Sequence, residues 1–174
     1  KNNHNKIKNK KALIFGIGSG IIVVILISQL FETLFALIFG ATNFQISFNI
    51  IFPIVDYELP GNLSPIIYIL ILVSNILTTI GFVEISNYFL KKSELGFKRY
   101  SLILFNIICI GYIIINVFYG AFAAIVTNQL TNNWSLLSEY LGITGEAKIA
   151  FMFFVIIILI AYINISTRRL IKYI

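Results

Sequence analysis

The stretch I-S-Q-L-F-E-T-L-F-A-L-I-F-G, residues Ile27 to Gly40, decides the fold class of this chain. It belongs to an apolar run, Ala12 to Phe39, that is long enough to cross a bilayer, because about 20 residues at 1.5 Å each span a hydrocarbon core roughly 30 Å thick. Glu32 interrupts this run, and an ionisable side chain at membrane depth is costly. The stretch therefore predicts a membrane protein with a candidate functional site on its first helix.

The composition of the whole chain agrees with a membrane location. Of the 174 residues, 59% are hydrophobic and 11% are charged, and the mean hydropathy is +0.93. A soluble domain of this size needs more polar surface. The net charge of +6 comes from Lys and Arg clusters beside the apolar runs, with no basic face that carries stacking aromatics. The charge therefore indicates membrane orientation and not nucleic-acid binding.

Four apolar runs predict an all-α membrane protein with four transmembrane helices. The predicted helices are residues 12–40, 66–90, 100–127 and 149–167. They form one domain, 12–167, between a basic tail, 1–11, and a basic end, 168–174. The tail has no apolar periodicity, so we expect it to be disordered or to lie on the membrane surface. Gly16, Gly18 and Gly20 give the first helix a small-residue face on which another helix can pack closely.

A short extended or hairpin segment is expected after the first helix. Polar and apolar side chains alternate from Asn43 to Ile50, which is the two-residue period of a strand. Asp56, Glu58 and Pro60 then supply turn chemistry before the next apolar run. We expect this segment to lie at or partly within the membrane, where non-helical backbone must be covered by protein or line a wet cavity.

The distribution of charge predicts the orientation of the helices. Five Lys lie in the tail, four cations lie between residues 91 and 99, and three follow residue 167. The other two loops contain only one cation between them, Lys148. By the positive-inside rule, both termini and the central loop face the cytoplasm. The expected location is a bacterial cytoplasmic membrane, with an organellar membrane as the alternative.

Polar side chains inside the predicted helices have structural and functional interpretations. Glu32 is expected to hydrogen-bond within the bundle, to contact a partner protein or ligand, or to take part in ion or proton movement. Its expected hydrogen-bond partners are amides that also join helices, namely Asn75, Asn106 and Asn116. The three interpretations stay open at this point.

Two further residues have predicted positions near the membrane surface. Glu84 is expected near the cytoplasmic interface, in a structural ion pair with Lys91 or with a neighbouring cation, Lys92 or Lys98. Trp134, the only tryptophan, lies in the polar segment 128–148, which is expected to be a loop. A Trp in such a segment usually anchors the chain at the interface.

The stretch from Ile27 to Gly40 also resembles the first core helix of the site-2-protease-type intramembrane zinc metallopeptidases. In that family, His-Glu-x-x-His is followed about eight residues later by a Gly and then by an extended segment. Counting back from Gly40 places the second His position at Glu32, the catalytic Glu position at Gln29 and the first His position at Ser28.

Further matches extend this resemblance from about Ile21 to Leu170. Asn75 stands where the family has the Asn of a Gly-Pro-x-x-Asn motif, although neither Gly nor Pro is kept. The pairs Phe105-Asn106 and Gly111-Tyr112 look like the third-helix pattern of the family. Asn133-Trp134 resembles the Asp-Trp that supplies its third zinc ligand.

The resemblance implies a degenerate member of the family that has no zinc site. Such a site needs two imidazoles and a carboxylate, with a water in the fourth position. The cognate positions offer a hydroxyl, a carboxylate and an amide, from Ser28, Glu32 and Asn133. Gln29 cannot accept the proton that a catalytic Glu takes from water. A second frame, with Glu32 at the catalytic position, puts Phe at both His positions.

Two classes of function follow from these observations, and in both we expect no enzymatic activity, no metal and no cofactor. In the first, the protein is a pseudoenzyme-like binding or scaffolding module for another membrane protein or transmembrane segment. In the second, it is a small transporter, channel or transporter-complex subunit with Glu32 in a polar path. The candidate binding residues are Ser28, Gln29, Glu32, Asn75, Asn106 and Asn133.

Overall fold

The computed structural model describes residues 2–49, 52–126 and 133–174. Four helical spans in these residues are long and apolar enough to cross a membrane, namely Lys10–Ile38, Pro65–Lys92, Phe97–Val126 and Gly145–Ile171. They confirm the predicted all-α fold with four transmembrane helices. The chain is therefore a polytopic integral membrane protein whose apolar helix surfaces face the lipid bilayer.

Interrupted helices build two of the four spans. The elements are α1 (Asn2–Ile22), a first π-helical turn (Val23–Ile27), α2 (Ser28–Ile38), β1 (Thr42–Asn49), β2 (Phe52–Glu58), α3 (Pro65–Lys92), α4 (Phe97–Ile115), a second π-helical turn (Asn116–Ala121), α5 (Phe122–Val126), α6 (Asn133–Tyr140) and α7 (Gly145–Ile171). The spans alternate in direction. Both termini and the α3–α4 loop thus lie at one end, the basic end, and the two strands lie at the other, the hairpin end.

The helices extend beyond the apolar runs that predicted them. The fourth span, predicted at residues 149–167, runs from Gly145 to Ile171. Its last turn contains Arg168 and Arg169, and cations at a helix C-terminus interact favourably with the helix dipole. At the start of α3, the Ser64 side chain accepts a hydrogen bond from the Ile67 N–H at 3.4 Å. Polar and charged residues at a helix end can therefore extend or cap the helix beyond the point where the apolar pattern stops.

The basic tail is helical from Asn2 onward, so of the two expectations for it, disorder is wrong for the described residues, and a position on the membrane surface stays a prediction. Lys is a good helix former, and extending an existing helix costs far less than nucleating a new one. The apolar part of the first span therefore supplies the nucleus on which this polar sequence continues as α1.

The predicted extended segment is an antiparallel hairpin. Strands β1 and β2 pair with Gln45 opposite Asp56 and Ile46 opposite Val55. The register shifts between Thr42 and Gln45, where Asn43 has a positive φ of 56°. β2 packs against α2 and the first π-helical turn, so the hairpin lies along the first span instead of projecting away from it.

The first span packs on α4 through two of the three glycines that the sequence singled out. A Cβ added to Gly16 would lie 2.5 Å from the Ser101 carbonyl oxygen, and one added to Gly20 would lie 2.8 Å from the Cβ of Ile108. A Cβ at Gly18 would have no described atom within 4 Å. The close face is thus a Gly-x-x-x-Gly pair, which lets two helix backbones approach in a membrane.

The segment predicted as a polar loop contains α6, and residues 128–132 of it lie outside the described residues. Trp134 is buried, and its indole Nε1 donates a hydrogen bond to Asn116 Oδ1 at 2.8 Å. The interfacial-anchor prediction for Trp134 is therefore wrong. The indole N–H has a hydrogen-bond acceptor inside the bundle, and this allows the large ring to be buried.

The predicted ion pair of Glu84 with Lys91 is also wrong. Glu84 pairs with Arg169 of α7 at 2.9 Å and accepts a hydrogen bond from the Tyr162 hydroxyl at 3.1 Å. Lys91 lies seven residues further along α3, about 10 Å away at 1.5 Å per residue. α3 and α7 run in the same direction, so their C-terminal ends lie together at the basic end, and the Arg169 guanidinium of α7 reaches Glu84.

We expect the substitution Gly20→Leu to destabilise the bundle by about 1 to 3 kcal/mol, because the added side chain must displace Ile108. Gly18→Leu is the matched control and should change stability by less than about 0.5 kcal/mol. Reversible unfolding in mixed micelles, followed by circular dichroism, measures both values. Equal losses for the two variants would contradict the assignment of the close face.

Candidate functional site

The candidate site is centred on Glu32, which lies on α2 one helical turn after Ser28. Both side chains are buried, with Ser28 fully enclosed and Glu32 5% exposed. The preceding π-helical turn shapes this position: the Ser28 N–H bonds to the Val23 carbonyl, five residues back. The Ser28 Oγ donates to the Val24 carbonyl, which the Ser28 N–H would bond in a regular α-helix.

One carboxylate oxygen of Glu32 joins three distant parts of the chain. Its Oε1 accepts a hydrogen bond from the Tyr57 hydroxyl of β2 at 2.9 Å and another from Asn133 Nδ2 of α6 at 2.8 Å. Asn133 Nδ2 also donates to the Leu72 carbonyl of α3 at 2.9 Å. The hairpin, α3 and α6 are therefore fixed relative to the first span by one connected set of hydrogen bonds.

Two further polar side chains adjoin this carboxyl group. Asn75 of α3 is buried, and its amide faces Glu32. Burial, together with the adjacent Glu32 carboxylate, raises the pKa of the Tyr57 phenol well above its ordinary value. Tyr57 therefore keeps its proton at neutral pH and remains a hydrogen-bond donor.

The second carboxylate oxygen of Glu32 has a different environment. Its Oε2 is buried and accepts no hydrogen bond from any residue that the structure describes. A buried acceptor without a donor is costly, and most such atoms in proteins are satisfied. The Glu32 carboxyl group therefore keeps one acceptor without a described donor, enclosed within the bundle.

The second π-helical turn continues the polar region across α4 and α6. The Tyr112 side chain lies beside Ser28 and Asn116, and Asn116 accepts the hydrogen bond from Trp134. A Cβ on Gly120 would lie 2.7 Å from the Trp134 ring, so only glycine leaves room for the indole. Both π-helical turns thus border the site, and such turns occur frequently at functional sites.

The structure brings together four of the six predicted site residues. Ser28, Glu32, Asn75 and Asn133 lie in this one region, which we call the Glu32 cluster together with Tyr57. Gln29 is half-buried, and its carbonyl accepts a hydrogen bond from Thr33 Oγ1. Its side chain takes no part in the hydrogen bonds given above.

Asn106 lies apart from the Glu32 cluster. It is fully buried in the basic half of the bundle, where its Nδ2 donates to Ser86 Oγ at 3.0 Å and to Asn87 Oδ1 at 3.3 Å. These bonds join α4 to α3. Asn106 therefore has the helix-joining role that the sequence also allowed, and it does not contact Glu32.

Sequence reasoning missed Tyr57, although a signal for it was present. Asp56 and Glu58 suggested a turn, but the structure extends β2 through them. In a strand, alternate side chains face opposite sides, so a Tyr between two acids faces away from both. Treating Asp56, Tyr57 and Glu58 as part of a strand instead of a turn would have placed Tyr57 on the face opposite to the two acids.

The residues present do not fit a zinc site of the kind found in the intramembrane metallopeptidases. Asn133 directs its N–H donors at the carboxylate, whereas a zinc ligand presents a lone pair to the metal. Ser28 Oγ is engaged with a backbone carbonyl. Within residues 2–49, 52–126 and 133–174, no group of three or more His, Cys, Asp and Glu side chains gathers.

Comparisons with protein-family models, with curated proteins and with solved structures give no match to this chain. The resemblance to the intramembrane metallopeptidases rests on the sequence positions named above. The function is therefore argued from the contacts of the Glu32 cluster and of the hairpin.

We expect Tyr57→Phe to lower the free energy of unfolding by about 1 kcal/mol, because a hydrogen bond to a buried carboxylate oxygen is lost. In a Glu32→Ala background the same change should have almost no effect, since the acceptor is absent. Tyr119→Phe, at a largely exposed tyrosine, is the control. Unfolding in mixed micelles gives the double-mutant cycle, and equal costs in both backgrounds would show that the hydroxyl and the carboxyl are not coupled.

Proposed function

We propose that this protein is a non-catalytic binding module for another membrane protein, with an architecture like that of an intramembrane metallopeptidase without its zinc site. The observation that carries the proposal is the meeting of Ser28, Glu32, Asn75 and Asn133 in one buried cluster beside the hairpin. These are positions that the resemblance assigns to a zinc centre and its surroundings. Their convergence supports a retained cleft whose catalytic groups have been replaced.

The hairpin offers a place for an extended segment of the partner. β2 packs against the first span, and no described residue pairs with the outer edge of β1. An unpaired edge strand presents backbone N–H and C=O groups that another chain can bond as an additional strand. Ile46 on β1 is 69% exposed, so this strand is accessible.

The Glu32 carboxyl group offers a second contact for the same partner. Oε1 is occupied by Tyr57 and Asn133, while Oε2 is left without a donor from the described residues. Because Oε2 is enclosed by the bundle, a partner helix with Ser, Thr or Asn at the matching depth would supply that donor only after the side chains around Glu32 move apart. Interhelical hydrogen bonds of this kind contribute about 0.6 to 2 kcal/mol in membranes.

The arrangement of the polar residues supports binding over conduction. The Glu32 cluster and the cluster around Asn106 are separated on α3 by the distance from Asn75 to Ser86, about 16 Å at 1.5 Å per residue. Between them on α3 lie the buried apolar side chains Ile76 and Val83 and the buried Thr79, whose hydroxyl donates to the Asn75 carbonyl of the same helix. A transporter or channel subunit with Glu32 in a polar path would need a continuous route through this layer.

Site-specific photocrosslinking in native membranes tests the proposal. A photoreactive residue at Ile46 should crosslink to a discrete membrane protein, because this position lies on the open strand. The same residue at Ile158 of α7, 50% exposed, is the lipid-facing control and should give no such product. Glu32→Ala should weaken the crosslink at Ile46. No crosslink at Ile46, together with Glu32-dependent proton or cation flux in liposomes, would favour the transport alternative.

Elemental analysis of the purified protein tests the non-catalytic part of the proposal. We expect less than about 0.1 equivalent of zinc in the wild-type protein and in Glu32→Ala, because one carboxylate with amide and hydroxyl neighbours is a poor zinc site. One equivalent of zinc in the wild type that is lost in Glu32→Ala would make Glu32 a metal ligand and overturn this part of the proposal.

A further inference from the structure

A groove runs between α1 and α4 in the basic half of the bundle, away from the Glu32 cluster. It has a volume of about 450 Å³ and is lined almost entirely by apolar surface. Its walls are formed by Phe15 and Ser19 of α1 and by Phe97, Lys98, Ser101, Leu102 and Phe105 of α4. Lys98 is the only charged residue among them; its ammonium lies 5.9 Å from the centre of the Phe89 ring, so the stem of this lysine lines the apolar groove and its charge lies outside it.

Helical spacing places a second cation, Lys11, one turn before Phe15, where the lining of the groove on α1 begins. Lys11 precedes Phe15 and Ser19 by one and two helical turns, and residues four apart share a helix face. The two helices are in register here, because Ser101 Oγ donates to the Ala12 carbonyl at 3.4 Å and the Phe15 and Phe97 rings are 6.0 Å apart. Lys11 and Lys98 therefore flank the same end of the groove.

The two lysines have no acidic partner among the residues that the structure describes. Within the described part of the chain, the one ion pair is that of Arg169 with Glu84, and both Lys11 and Lys98 are exposed. The basic end as a whole carries many more cations than carboxylates. An anion from outside the protein would therefore meet a favourable field at the mouth of the groove.

The length of the groove matches a lipid chain. Lys11 to Ser19 is eight residues, about 12 Å along the helix axis. One leaflet contributes roughly 15 Å to a hydrocarbon core of about 30 Å. A molecule with its anionic group between the lysines and its chain beside Phe15 and Phe105 would thus lie entirely within one leaflet.

We infer that this groove is a binding site for an anionic phospholipid, with the phosphate between Lys11 and Lys98 and one acyl chain against Phe15, Leu102 and Phe105. The apolar lining accounts for the chain, and the paired lysines account for the negative headgroup. The site is independent of the proposed partner-binding function, since it shares no residue with the Glu32 cluster or the hairpin.

Native mass spectrometry of the detergent-solubilised full chain tests this inference. Titrations compare dioleoyl phosphatidylglycerol with dioleoyl phosphatidylcholine, which has the same chains and no net charge. We expect at least tenfold tighter binding of the anionic lipid. Lys11→Gln and Lys98→Gln should each weaken it about fivefold, the effect of one lysine near a membrane surface. Binding of phosphatidylcholine should not change in either variant.

Two controls separate this site from general attraction to the basic end. Lys172→Gln removes a cation of the same end that follows α7 and belongs to neither helix of the groove, so it should change affinity by less than twofold. Leu102→Trp fills the groove and should displace the anionic lipid while both lysines remain. If Leu102→Trp does not fold, the exposed lysine variants still decide the result.

Three outcomes would overturn the inference. Equal binding of the two lipids would remove the role of the headgroup. An equal loss in Lys172→Gln and Lys98→Gln would show delocalised attraction and no site. Competition by glycerol 3-phosphate at the concentration of the lipid would show that the headgroup alone binds and that the groove takes no chain.

Discussion

A carboxyl group inside a bilayer must find its hydrogen bonds within the protein, and this constraint organises the hairpin half of the molecule. Glu32 has no water to solvate it at that depth, and Tyr57 and Asn133 instead donate hydrogen bonds to its Oε1. Each of these donors belongs to a different element. The hairpin and α6 are thereby held against the first span by polar contacts, while apolar contacts between the spans contribute little selectivity in lipid.

The four spans could be predicted from the sequence because lipid imposes a length on them. A run of about 20 apolar residues is the length that a helix needs to cross the hydrocarbon core, and such runs are rare in soluble domains. The hairpin could be predicted because alternation from Asn43 to Ile50 has the period of a strand. The glycine face was recognised correctly at Gly16 and Gly20, while Gly18 shows that small size alone does not identify a contact.

The contacts between elements could not be predicted in the same way. Nearness in sequence predicts Lys91, Lys92 or Lys98 as the partner of Glu84, yet α7 supplies Arg169 from the far end of the chain. Trp134 is the residue type of an interfacial anchor and lies in a polar segment, and only the position of Asn116 makes its burial favourable. Such pairings depend on how helices are arranged around one another, which a pattern along one helix does not contain. Asn133 was identified through the resemblance and not through its spacing.

The hydrogen bond between Glu32 and Asn133 also has a consequence for biosynthesis. The two residues are 101 positions apart, so Glu32 is made long before its amide partner. At about 5 to 20 residues per second, the ribosome needs roughly 5 to 20 s to reach Asn133. During that interval the first span carries a carboxyl group that its finished fold has not yet enclosed. The insertion machinery, or the water-filled passage through it, must keep this carboxyl group solvated or hydrogen-bonded until the last third of the chain has been synthesised.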